Sequence, residues 1–223
     1  MSISSEQEQL NEIINNICKY ILQMVSAKGA QAAQLRLQVG QVQSNGLAYL
    51  QNKTFGTMLY NCFVTARTLP ITADLVAMVR EQISQEAPTG PIATLVVETA
   101  ILYCLTTECI FITQMTFASR NDVQLMMTRM TNAFNAARDQ AADRMDSATY
   151  QNLTYLAGSI INHLNQTALT LPRLVQFSFQ TSYPALTMAN LIYQDTSRWE
   201  QLVSENDTVH PLFMQRQIVG LSA

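Results

Sequence analysis

Acidic residues give the chain its most suggestive chemical pattern. Asp139, Asp143 and Asp146 lie close together in sequence, and the first two are one helical turn apart. Two carboxyl groups at that spacing could share a proton or bind a cation in a closed cleft. Arg138 and Arg144 are interleaved with them, and this alternation is typical of a solvated helix face with mixed charges. We therefore interpret the acidic set as surface.

Histidine and cysteine do not define a clearer site. His163 lies among asparagines on an otherwise apolar helix, and His210 precedes a proline in a loop, so we expect neither to be a catalytic base. The four cysteines lack CxxC spacing and a neighbouring histidine, which argues against a zinc site. Most of them fall on apolar helical stripes, which predicts buried free thiols. They are Cys18, Cys62, Cys104 and Cys109.

Catalytic motifs are missing from the sequence as well. It contains no GxSxG, no HExxH and no phosphate-binding glycine loop, and only seven of its 223 residues are glycine. We predict that the protein is not an enzyme and has no catalytic residue, no metal and no cofactor.

The composition is poor in charge and rich in amides. Only 13% of the residues are charged, whereas 36 are Gln or Asn and 22 are Thr. The net charge of −3 and the pI of about 5.3 argue against a nucleic-acid binder that works by charge. With 48% hydrophobic residues an ordinary core is available. A surface of this kind suits a protein whose faces are covered by partners.

Helical periodicity dominates residues 1–171. Apolar residues recur in steps of four and three through Leu10 to Met24, Val123 to Ala141 and Tyr150 to Leu171. Such stripes fit either an intramolecular bundle or a coiled oligomer, and within one subunit the bundle is favoured. Ser44-Asn45-Gly46 predicts a turn, followed by a helix over 47–69. We predict a mainly α chain with a helical bundle of five or six helices.

The segment from Ile92 to Phe117 is long and very apolar. Glu98 and Glu108 interrupt it, so no uncharged run reaches the roughly 18 residues of a membrane span. A buried central helix is the favoured interpretation, and we expect no membrane span. The two glutamates lie about 80° apart on a helical wheel, so they could share a polar edge or a subunit contact.

After Pro172 the pattern changes. Residues 173–180 are rich in Val and Phe and predict a strand, and Pro184 precedes a short apolar helix. A further helix runs through Trp199 to about Asn206, and residues 217–221 predict a final strand. The boundary therefore falls between a helical domain, 1–171, and a small βααβ module, 172–223.

This last segment carries a family resemblance. The stretch TLPRLVQFSF, followed by YPALTMANLIYQDTSRWEQLVSENDTVHPLFMQRQIVGLS, resembles the C-terminal end of the Mu-like phage DNA circularisation proteins. Its βααβ order and the pattern D-x-x-R-W-x-x-L-x-x-x-N also resemble the LysM-like modules of contractile-tail baseplate proteins. The matching positions are Asp195, Arg198, Trp199, Leu202 and Asn206. The chain departs from glycan-binding LysM modules at Ser182-Tyr183-Pro184-Ala185, where they have Gly-Asp-Thr-Leu.

The resemblance implies a structural component of a bacteriophage contractile tail, at the baseplate hub or the tube–baseplate junction. Expected partners are other tail proteins (tube, hub, sheath-initiating or wedge components) and further copies of the chain in a ring. The expected location is the virion tail, with the host cytoplasm during assembly. The alternatives are a peptidoglycan- or glycan-binding LysM accessory protein and a tail-assembly chaperone. The residues predicted to dock a partner are Arg173, Arg198, Trp199 and Phe213.

Overall fold

The computed structural model describes the backbone of residues 3–222 and the side chains of residues 6–222. Nine α-helices, one 3-10 helix and two strands occur within this range. The prediction of a mainly α chain is confirmed, and a small two-stranded sheet accompanies the helices. The α-helices are α1 Ile3–Gln23, α2 Ala30–Gln51, α3 Phe55–Ala66, α4 Ala73–Ser84, α5 Pro91–Ile112, α6 Arg120–Asp143, α7 Ser147–Leu169, α8 Ala185–Tyr193 and α9 Trp199–Glu205. The strands are β1 Leu174–Ser178 and β2 Gln217–Leu221, and the 3-10 helix is Thr196–Arg198.

Seven helices, rather than five or six, precede β1 in the described part of the chain. The predicted turn at 44–46 is wrong, because α2 runs through it without a break. The chain turns instead at residues 52–54, where Lys53 has a positive φ of 59°. Gly46 is buried, and a Cβ there would lie 3.0 Å from the Ile14 side chain. Its role is to let α2 approach α1 closely.

The chain forms two compact units. The first comprises Met1–Met115 with Thr131–Ile160, and the second comprises Thr116–Met130 with Ile161–Ala223. Both α6 and α7 contribute residues to each unit. These divisions differ from the boundary between residues 171 and 172, which stays a prediction.

Helix α5 is the central helix of the first unit. It packs against α1, α3 and α4, and Pro91 is its first residue, a position that proline favours because its missing N–H is not needed there. By length and composition alone it could cross a membrane, but 56% of its most apolar 18-residue stretch is buried inside the protein. That degree of burial is typical of the core helix of a folded domain. The stripe of α1 from Leu10 to Met24 is buried as well.

The sheet of the second unit is a single antiparallel pair. Leu174 of β1 lies opposite Leu221 of β2, and Ser178 lies opposite Gln217. A small core forms between this sheet and helices α8 and α9. Its fully buried members are Ala185, Met188, Leu202, Met214 and Ile218.

Candidate docking site in the C-terminal unit

The residues of the D-x-x-R-W-x-x-L-x-x-x-N pattern build the fold around α9. Asp195 begins this series as the N-cap of the 3-10 helix. Its Oδ1 accepts hydrogen bonds from the Ser197 hydroxyl at 2.7 Å and from the Ser197 N–H at 2.9 Å. The Ser197 side chain and backbone, in that order, lower the pKa of the Asp195 carboxyl. An ionised cap is thus favoured at the start of this turn.

Arg198 stacks on an aromatic ring of the preceding helix. Its guanidinium carbon lies 3.6 Å from the centre of the Tyr193 ring, a close cation–π contact. The Arg198 Nε donates to Gln201 Oε1 at 2.9 Å, and Gln201 Nε2 donates to Glu205 Oε1 at 2.7 Å. The side chain is half-buried. Arg198 therefore joins α8 to α9, and these internal contacts leave less of its guanidinium group available to bind an external partner.

Trp199 and Leu202 form the apolar side of α9. Leu202 is fully buried in the core of the unit, and Trp199 packs against the same cluster while remaining half-buried. Trp199 is also the only tryptophan in the chain. Both residues stabilise the unit through burial.

Asn206 ends the pattern and binds β2. Its Nδ2 donates to the carbonyl oxygens of Leu202 and Val219, each at 2.8 Å. Its Oδ1 accepts from the Val219 N–H, also at 2.8 Å. The amide side chain thus satisfies both backbone groups of one strand residue, as a neighbouring strand would. The sequence pattern includes Asn206, but only the folded structure shows that its partner is Val219.

Gly220 gives Tyr193 room beside the sheet. A Cβ at position 220 would overlap the Tyr193 hydroxyl and would lie 3.2 Å from Phe177 and 3.4 Å from Leu202. Burial and the nearby Glu205 carboxylate raise the pKa of Tyr193, against the opposing effects of Arg198 and the Leu221 backbone. The tyrosine therefore remains a neutral phenol at physiological pH.

The four predicted docking residues lie in three separate places, since Arg198 and Trp199 are adjacent at the start of α9. Arg173 is exposed at one end of the sheet, where its C=O accepts from the Ser222 N–H at 2.6 Å. Phe213 lies near the other end, three residues before Arg216, whose C=O accepts from Phe179 N–H. Six residues of extended chain separate the two ends, about 20 Å. Within the described residues, no hydrogen bond, ion pair or ring contact joins Arg173, Phe213 and the α9 residues.

Phe213 belongs to an exposed apolar region, of which the sequence patterns predict no other member. Phe213 is 72% exposed, and Leu212 and Leu186 are 57% and 53% exposed. The loop that carries Phe213 lies against the start of α8, since the Ala185 N–H donates to Pro211 O at 2.6 Å. The sequence signal for this region is the presence of two large apolar residues, Leu212 and Phe213, in a loop without helical or strand periodicity. We call Leu186, Leu212 and Phe213 the Phe213 surface.

The acidic set belongs to the first unit and does not form a cleft for chemistry. Asp139 and Asp143 are exposed. Asp146 accepts a hydrogen bond from the Thr149 N–H at 3.1 Å, and the Thr149 hydroxyl is the largest cause that lowers its pKa. It therefore acts as a cap for α7. Among the described residues, no group of three or more His, Cys, Asp or Glu could hold a metal ion.

The two glutamates of α5 have different partners within the first unit. Glu98 forms an ion pair with Arg144, and burial is the largest cause that raises its pKa. Glu108 is fully buried, and its Oε2 accepts from Arg80 Nε at 3.1 Å. A shared polar edge on α5 is therefore not formed.

The four cysteines are all free and buried, as the sequence predicts.

No protein-family model matches the chain. No curated protein matches it by sequence either.

Proposed function

We propose that this chain is a non-enzymatic structural component of a bacteriophage tail. It acts by protein–protein assembly at the baseplate hub or the tube–baseplate junction. The observation that carries the proposal is that residues shared with the baseplate modules each make a structural contact within the C-terminal unit. Asp195 caps the turn, Leu202 fills the core and Asn206 binds β2. A chance match to the pattern would not be expected to place these residues in structural contacts. The contacts therefore support a module shared with the baseplate proteins.

The proposal includes the finer architecture. Residues 172–223 form a LysM-like βααβ module, and residues 1–171 form a helical bundle that carries it. The antiparallel pairing of β1 with β2 around α8 and α9 supports this arrangement. The departure at Ser182-Tyr183-Pro184-Ala185 weighs against sugar recognition, and the Ser182 hydroxyl is already engaged with Met214 O at 2.6 Å.

The Phe213 surface is the part of the module best suited to a protein partner. Exposed aromatic and aliphatic side chains on neighbouring segments supply apolar area that a partner can bury. Arg173 adds an exposed cation at the other end of the sheet. The partners are other tail proteins and further copies of this chain, and the location is the virion tail, with the host cytoplasm during assembly.

Particle composition tests the proposal directly. Mass spectrometry of purified virions of the source phage should find the chain in several copies per particle, and immunogold labelling should mark the end of the tail. Its absence from mature particles but presence in assembly intermediates would favour the chaperone. Retention of the purified chain on peptidoglycan would favour the glycan-binding accessory protein.

A pair of variants tests the docking surface. Phe213→Ser should lower incorporation into particles, while the fluorescence of Trp199 shows that the module remains folded. Leu125→Ser is the matched control, because Leu125 is also 72% exposed but lies on α6. Equal incorporation of both variants would exclude the Phe213 surface as a contact.

A further inference from the structure

The two-stranded sheet has two outer edges, and their backbone groups can be assigned. Hydrogen bonds join residue 179 to 216 and residue 173 to 222. In an antiparallel pair such bonded positions alternate with unbonded ones. With the register of the sheet, Leu174, Gln176 and Ser178 therefore direct their N–H and C=O groups away from β2. Their partners on β2, Leu221, Val219 and Gln217, likewise direct these groups away from β1.

The β2 edge is covered at its centre from within the unit. Asn206 binds both outward groups of Val219 through two hydrogen bonds of 2.8 Å each. The β1 edge differs: in the described part of the chain no hydrogen bond reaches the outward groups of Leu174, Gln176 or Ser178. The side chains of Gln176 and Ser178 are exposed. The β2 edge is thus closed at its central residue, Val219, and the β1 edge is open along its length.

The open edge also lacks the usual protection against pairing. Natural edge strands are blunted by charged side chains, prolines, bulges or a covering segment. The sequence of β1, Leu-Val-Gln-Phe-Ser, contains no charge and no proline, and its five residues pair with β2 without a bulge. An unprotected edge of this kind is a template for another strand.

We propose that β1 pairs antiparallel with β1 of a second copy of this chain, around a two-fold axis at Gln176. The product is a continuous four-stranded sheet in the order β2–β1–β1–β2. Gln176 faces its own counterpart in a hydrogen-bonded pair, and Leu174 faces Ser178 of the second copy. Isologous contacts of this type give closed dimers.

The residues of β1 favour its own copy as the occupant. In this register Val175, which is 38% exposed, lies opposite Phe177 of the second copy, so two apolar side chains meet on the core face. Arg173 lies opposite Phe179 of the second copy, where a guanidinium can contact an aromatic ring. No like charges meet along the strand, because β1 has none. The pairing gives a closed dimer of the chain, and it does not depend on a role in a phage tail.

Charged substitutions at the axis test the pairing in the purified chain. Sedimentation velocity over a range of concentrations should show a wild-type dimer. Q176K and Q176E should each associate roughly 10-fold more weakly or worse, since like charges face each other directly. An equimolar mixture of the two should associate again, because Lys then faces Glu. Q217K is the matched control on the closed edge and should dimerise like the wild type.

A cross-link gives a second readout. Cα atoms of a hydrogen-bonded antiparallel pair lie about 5.5 Å apart, within the range of a disulfide. Oxidised Q176C should therefore run as a covalent dimer, and Q217C should not. A monomeric wild type, or association that neither Q176K nor Q176E weakens, would overturn the proposal. A monomeric chain still found in virions would overturn the pairing alone and leave the tail function standing.

Discussion

The Asn206 side chain holds Val219 by both of its backbone groups, in the manner of a missing third strand. The two residues are separated by 13 positions, and the three 2.8 Å hydrogen bonds of the amide connect the end of α9 to the middle of β2. A two-stranded sheet is marginally stable by itself in water. This contact therefore stabilises the sheet, anchors it to α9 and closes one of its edges.

Asn206→Ala should destabilise the C-terminal unit. The substitution removes three hydrogen bonds and leaves the outward groups of Val219 to solvent, so we expect a loss of about 1–3 kcal/mol in the free energy of unfolding. Urea unfolding followed by Trp199 fluorescence measures it, because the only tryptophan reports on this unit. Asn206→Asp keeps the acceptor for the Val219 N–H, so its free energy of unfolding should lie between those of the wild type and Asn206→Ala.

Asn190→Ala is the control for that series. Asn190 is exposed on α8, and its replacement should change the free energy of unfolding by less than about 0.5 kcal/mol. If Asn206→Ala unfolds at the same urea concentration as Asn190→Ala, Asn206 does not hold the sheet.

Gly220 and Tyr193 should behave as a coupled pair. Gly220→Ala places a Cβ on the Tyr193 hydroxyl, and we expect a cost of about 1–3 kcal/mol from overpacking. Tyr193→Phe removes that hydroxyl but keeps the ring on which Arg198 stacks. In the Tyr193→Phe background the cost of Gly220→Ala should therefore fall, although Phe177 remains close. Additive effects in this double-mutant cycle would contradict the contact.

The buried ion pair of the first unit should respond strongly to truncation. Arg80→Ala removes the guanidinium that lies 3.1 Å from the fully buried Glu108 carboxylate, and we expect a loss of about 3–5 kcal/mol. Arg80 also lies 3.7 Å from Glu81, whose side chain is 65% exposed. Glu81→Ala should cost less than about 1 kcal/mol, as exposed pairs do. Thermal unfolding followed by far-ultraviolet circular dichroism compares the two variants. Equal decreases in Tm would show that the Arg80–Glu108 pair contributes no more than the exposed Arg80–Glu81 pair.

The cysteines should be unreactive in the folded protein, even in alkali. Burial is the largest cause that raises the pKa of Cys18, Cys62 and Cys109 from 9.0 to about 12, and it raises that of Cys104 as well. Unfolded thiols ionise near pH 9 while folded ones keep their protons, so the stability these groups contribute falls as the pH rises from 9 toward 12. Maleimide labelling at pH 7 and pH 9 should be slow in both cases, and guanidinium should expose four thiols. Rapid native labelling at pH 9 would contradict this burial.

The limits of sequence reasoning are visible in particular residues. Helical periodicity predicts α1, α6 and α7, because the apolar stripes that define these helices are local features of the sequence. The turn predicted at Ser44-Asn45-Gly46 is wrong because the role of Gly46 depends on a contact that is distant in sequence. Its glycine serves close packing between two helices, and no local pattern distinguishes that from a turn. The edge-closing role of Asn206 is equally non-local, since its partner Val219 approaches only in the folded unit.

Two glycines on α2 put this explanation to a direct test. A Cβ at Gly46 would lie 3.0 Å from two atoms of the Ile14 side chain, whereas a Cβ at Gly40 would meet nothing within 4 Å. Gly40→Ala should stabilise the protein by about 0.5–1 kcal/mol, because alanine is the better helix former. Gly46→Ala receives the same helix propensity but must displace a fully buried isoleucine, so we expect a net loss of about 1–2 kcal/mol. Chemical unfolding of both variants measures the difference, and stabilisation by Gly46→Ala would show that close packing against α1 does not require this glycine.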